Sequence, residues 1–157
     1  MLKIGKMTDY ATVILGRMAA DGDGLHAATA LAEATRIALP TVSKLLKQLQ
    51  RAGLVHSVRG LRGGYQLARP AAEITAVQIL DAVEGPVVLT DCSAGEGHCD
   101  IESHCHVGTS WQRLNLAIRR SLNDVSLAQL AGLEQRVPQL ARPQEFHVAV
   151  ATIGSRR

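Results

Sequence analysis

Aromatic side chains are scarce: one Trp, two Tyr and one Phe make up 3% of the 157 residues. The core must therefore come from Ala, Leu and Val, which favours helices packed on helices. At 46% apolar content there is material for one sizeable core with appendages. Long apolar runs are missing. Nothing behind Met1 to Lys6 resembles the hydrophobic stretch of a signal peptide, and no window offers the roughly 18 uncharged apolar residues of a membrane span. A cytoplasmic location and no membrane partner are expected.

Charge of one sign is missing twice. Between Ala34 and Ala72 there are seven basic residues (Arg36, Lys44, Lys47, Arg51, Arg59, Arg62 and Arg69) and no acid. From Pro70 to Gln112 there are seven acids (Glu73, Asp81, Glu84, Asp91, Glu96, Asp100 and Glu102) and no Lys or Arg. The net charge of +3 hides this segregation, which points to a polyanion partner for the first block and a cation or metal centre near the second.

Cysteine is also rare, but its placement is informative. All three cysteines fall within the fourteen residues from Cys92 to Cys105, spaced Cys-x6-Cys-x5-Cys, with His98, His104 and His106 beside them. Thiolates hold iron–sulfur clusters and share zinc with imidazole, and both uses need soft donors gathered by a pliable loop. Gly95, Gly97 and Gly108 supply that pliability. Three unrelated free thiols are the bland alternative. A disulfide suits neither the odd count nor the expected compartment. No His-Glu-x-x-His pairing of an open metal position with a general base is present, so no enzyme is expected. A metalloenzyme or cluster carrier is the reading from another class.

In chain order, Thr8-Asp9 reads as a helix cap, followed by one apolar face of Ala11, Ile14, Leu15, Met18 and Ala19. Asp21 to Gly24 ends that helix. A shorter one runs from about Ala27 to Thr35, and Arg36 to Leu39 forms a turn before Pro40, which suits the first turn of a helix. The helix from Pro40 to Ala52 carries Val42, Leu45, Leu46 and Leu49 on one side and Lys44, Lys47, Gln48 and Arg51 on the other. Gly53 closes it. Leu54 to Val58 and Tyr65 to Ala68 read as strands around an Arg/Gly turn. A further helix runs from Thr75 to Val83. Beyond the cysteines, Val107, Trp111, Leu114, Ile118, Leu122 and Val125 form an apolar stripe on a long helix.

Helix, turn, basic helix and basic-tipped hairpin together spell a winged helix-turn-helix, whose second helix enters the major groove of double-stranded operator DNA. Thr41, Ser43 and Lys44 are placed for base edges, and Lys47, Arg51, Arg59 and Arg62 for phosphates or the minor groove. The stripe of Val107, Trp111, Leu114 and Ile118 suggests a homodimer seam; packing against its own domain is the alternative. The fold class is mainly α with a small β-hairpin. Residues 1–84 form the winged helix-turn-helix domain, 85–106 a cysteine-rich cluster-binding loop, 107–131 a long C-terminal dimerisation helix and 132–157 a flexible tail.

Four features together resemble the bacterial winged-helix repressors that sense iron–sulfur or nitric oxide status, including regulators of the Isc and Suf cluster-assembly operons. These are Thr8-Asp9-Tyr10, Leu45 to Val55 (LLKQLQRAGLV), Ser57 to Leu67 (SVRGLRGGYQL), and three cysteines before a long helix. The resemblance covers roughly Met1 to Leu130 and is closest to the Suf-type regulators. It implies dimers on operator DNA and a cluster, 2Fe-2S or 4Fe-4S, held by Cys92, Cys99 and Cys105. Isc-type members place a histidine ligand three residues after the last cysteine, where this chain has Gly108. In the nitric-oxide-sensing branch the fourth ligand is an aspartate early in the first helix of the other subunit, which Asp9 matches. His106 is the alternative fourth ligand. Zinc in a Cys3His site, leaving a cluster-free regulator, remains open beside the cluster.

Overall fold

The computed structural model describes residues 4–22, 24–60, 63–94, 97–101 and 104–134. Helix α1 (Lys6–Ala20) lies at the centre, with α2 (Ala28–Thr35), α3 (Leu39–Arg51) and α4 (Ala76–Glu84) packed on it. Strands β1 (Val55–Val58) and β2 (Gly64–Leu67) form an antiparallel hairpin in the register Val55 to Leu67 and Val58 to Gly64. His26 extends it: its N–H and carbonyl pair both ways with Tyr65, at 2.8 and 2.9 Å. Short 3-10 turns span Ala71–Glu73 and Asp91–Ser93; α5 (Gly108–Asn123) and α6 (Leu127–Leu130) follow. The expected mainly helical fold with one hairpin is present. Among the described residues no helix is long and apolar enough to cross a membrane.

Sequence dictates α3 most directly. Pro40 sits in its first turn, where a missing N–H costs nothing, and Val42, Leu45, Leu46 and Leu49 are fully buried. Burial of each such side chain is worth about 1.5–3 kcal/mol. Gly53, at φ +71°, closes the helix: its N–H bonds the Gln50 carbonyl at 3.0 Å, and the next N–H, of Leu54, bonds that of Leu49 at 2.9 Å. These side chains join Ile14, Leu15, Met18, Leu31 and Leu54 in one core.

Two expectations need correction. Thr8-Asp9 does not cap α1, which begins at Lys6 with Gly5 as the flanking residue. The cap comes from across the fold: the Glu84 carboxylate accepts the Gly5 N–H at 2.9 Å and the hydroxyl of Thr8, which is buried. The chain after α5 also returns to the core. Leu127 is fully buried there, its N–H donating to the Ile74 carbonyl at 2.7 Å while the Ala76 N–H donates to Val125 at 2.8 Å. Most of the expected tail, residues 135–157, lies outside the described residues.

Candidate metal centre and nucleic-acid interface

The polar side of α3 faces solvent. Lys44, Lys47 and Arg51 are exposed, and Thr41 and Ser43, near its start, are half-buried. Arg59 is exposed at the end of β1; Arg62 lies outside the described residues. A contact invisible to pattern reading joins helix to wing: Gln50 Nε2 donates to Ser57 Oγ at 2.8 Å. The bond ties α3 to the hairpin on the solvent-exposed side. Arg36, in the turn between α2 and α3, holds a left-handed conformation at φ +57°.

The cysteine segment enters from Gly85 and packs its 3-10 turn, Asp91–Ser93, against α5. Cys92 is buried there, with its Sγ 3.1 Å from the Thr90 hydroxyl, which in turn lies 2.9 Å from Ser93 Oγ. Gln112 of α5 fixes the same turn by donating to the Cys92 carbonyl at 2.9 Å. Cys99 and Cys105 are half-buried, and all three thiols are free. Gly108, which opens α5, sits between two of them: a β-carbon there would stand 3.7 Å from Cys105 Sγ and 3.9 Å from Cys92 Cβ. Position 108 is therefore part of the cysteine site, and glycine leaves that place clear. Cys99 shows no comparable convergence. Among the described residues, no three His, Cys, Asp or Glu side chains come together as a metal site. The donor chemistry of three thiolates fits an iron–sulfur cluster, while the geometry brings two of them to one glycine.

Neither expected fourth ligand lies in that group. His106 is exposed just before α5. Asp9 is exposed on the first turn of α1, where it borders an apolar groove of about 870 Å³ shared with Leu80, Leu122 and Val125. Helix α5 turns an unusual face inward. Its one buried residue is Asn115, 5% exposed, flanked on the same side by Gln112 and by Arg119, which pairs with Asp81 of α4. The apolar stripe lies beside that face, with Val107 58%, Trp111 41% and Leu114 46% exposed. Ile118 is half-buried, and with Leu122 it borders a smaller cleft of about 280 Å³ at the entry of the cysteine segment.

A sequence profile of the Rrf2 family, described as iron-dependent transcriptional regulators, matches residues 4–132. The chain belongs to the Rrf2 family. Its curated relatives include protein aau3 of Rhizobium meliloti, 36% identical over 78% of this chain and 75% of that protein. Another is the HTH-type transcriptional regulator IscR of Vibrio cholerae, 33% identical over 77% of this chain and 69% of that protein. Among solved structures, CymR, the global cysteine regulator of Bacillus subtilis, superposes with a TM-score of 0.66 at 27% identity, covering 85% of this chain and 99% of CymR. IscR of T. potens gives 0.62 at 27% identity over 85% and 89%. This Rrf2 chain is accordingly a DNA-binding transcriptional regulator with a winged helix, as IscR and CymR are regulators.

Proposed function

We propose that this Rrf2 protein is a cytoplasmic, homodimeric repressor whose Cys92, Cys99 and Cys105 hold an iron–sulfur cluster, and that it adjusts Suf-type cluster-assembly genes to cluster or nitric oxide status. The observation that carries the reading is the placement of Cys92 and Cys105 against Gly108, at the first turn of a helix that leaves Val107, Trp111 and Leu114 exposed among the described residues.

The dimer follows from that helix. Val107, Trp111, Leu114 and Ile118 form the seam, and a two-fold axis across it pairs two α5 helices antiparallel. Such an axis also supports Asp9. From Gly108 to Leu122 the helix rises about 21 Å, and Asp9 shares its groove with Leu122 and Val125, at the far end from its own cysteines. An antiparallel partner reverses this and brings Asp9 of one subunit to the cysteine loop of the other. Asp9 is then the fourth ligand, with His106 the weaker candidate.

When bound, the cluster supplies an iron whose oxygen ligand is more exchangeable than thiolate and so is open to oxidants and nitric oxide. The rest belongs to the protein. Thr90 and Gln112 orient Cys92 through its sulfur and carbonyl. Thr41, Ser43 and Lys44 read base edges, while Lys47, Arg51, Arg59 and Arg62 meet the backbone. Two α3 helices must span about 34 Å of duplex, so a change in the cysteine loop that alters their separation alters operator affinity.

Anaerobic purification with iron and sulfide quantified tests the reading. A coloured protein is expected, and Cys92→Ala, Cys99→Ala or Cys105→Ala should each abolish the visible band. Asp9→Ala should leave a cluster that forms but is lost several-fold faster in air, and His106→Ala should change little; the reverse pattern exchanges the two assignments. A colourless, zinc-containing protein would leave the zinc-stabilised regulator standing. Cysteine changes that affect neither the metal content nor promoter binding would sink the sensor.

A further inference from the structure

Asp81 and Glu84 stand in the last turn of α4 with no basic residue beside them in that turn. The end carbonyls of a helix carry partial negative charge, so acids placed there oppose the helix that bears them. Both are used in tertiary contacts instead. Asp81 Oδ1 accepts from Arg119 Nη1 at 3.0 Å and from the Val87 N–H at 3.1 Å, and its Oδ2 accepts from Arg119 Nη2 at 2.7 Å. One carboxylate therefore holds both flanks of the cysteine segment, Val87 ahead of it and α5 behind it. Glu84 holds the start of α1, beside Asp9. Helix α4 also packs on α3 and on α1.

We infer that Asp81 is the positioning residue that passes the state of the cysteine loop to the recognition helix, by fixing the loop entry and α5 together against α4. This deepens the sensor reading and rests on it. Arg119 and Asp81 are 32% and 31% exposed, so solvent screens the pair and its share of the stability is modest. Orientation is what a two-pronged guanidinium–carboxylate contact supplies. The Val87 N–H and Arg119 Nη1 share one oxygen, so a shift of the loop entry redistributes that oxygen between them. The tilt of α5 on α4 changes with it, and α3 is carried along.

The test uses full-length Asp81→Asn, with Arg119→Gln as the second route to the same lesion should the first fail to fold. Hydrogen–deuterium exchange on iron-free protein should show several-fold faster exchange in residues 86–94 and in α5, with α2 and α3 unchanged. Unaltered exchange in both segments overturns the inference. Fluorescence anisotropy then compares iron–sulfide-reconstituted and iron-free protein on a Suf-type promoter fragment. Wild type should show two affinities, whereas Asp81→Asn should bring their ratio towards one while keeping the visible band. Arg119→Lys, which keeps the charge without the fork, should fall between. Equal weakening of both forms with the wild-type ratio intact marks a merely structural role and also overturns the inference. A colourless wild type sinks the cluster reading alone, and the exchange measurement still decides whether Asp81 restrains the loop.

Discussion

Partial burial works against ionisation of Asp81, but hydrogen bonds from Arg119 and the Val87 N–H, with the guanidinium charge, outweigh it and hold the carboxyl below its ordinary value. A depressed carboxylate lends stability above its unfolded pKa of about 3.9 and loses it as the pH falls through the folded value. Wild type should therefore exceed Asp81→Asn in urea midpoint at pH 7, and the gap should narrow at pH 3. An equal gap at both pH values would remove the ionised pair as its cause. Residues on α3 divide by task. Replacing Lys47 or Arg51 with Ala should weaken binding to every DNA sequence and lower the salt slope by about one unit. Changing Ser43 or Lys44 should alter base preference instead, as measured by competition between operator variants.

Among the elements, α5 carries the sharpest expectation. Trp111→Ala with Leu114→Asp should yield monomers in sedimentation and weak binding to a palindromic operator, since 41% and 46% exposure leaves both side chains open to a partner. An intact dimer would move the seam elsewhere. How much of this was legible in sequence depends on range. Helix α3 and the hairpin were readable because Pro40, Gly53 and the leucine stripe are local signals within one element. The start of α1 was not, because its cap comes from Glu84, 79 residues away. Nor was the Asp81–Arg119 contact, which joins residues 38 apart, although acids without a base at the end of α4 were a visible anomaly. Helix α6 has four residues, too few for a period. The cysteine cluster was legible as chemistry, whereas the approach of Cys92 and Cys105 to Gly108 required the fold. The apolar stripe of α5 was visible too, but its outward direction depends on Gln112, Asn115 and Arg119 turning inward.

On the scale of the whole molecule, the return of the chain through Leu127 matters beyond packing. Helix α5 is held near its start by the Asp91–Ser93 turn, along its second half by α4, and after its end by the Ile74 and Val125 pairings, so it is a closed strut and not an arm. Leu127→Ala should cost about 2–5 kcal/mol, against little for Leu130→Ala on the surface, as denaturant titration would show. The same closure bears on modularity. Cutting the chain after Asn123 would not release a smaller DNA-binding unit with its association helix trimmed; it would open the core itself. Thermal melting should then be a single transition in which association and DNA binding disappear together, and chimaeras that graft α5 onto another winged helix should fold only if they bring Leu127 with it.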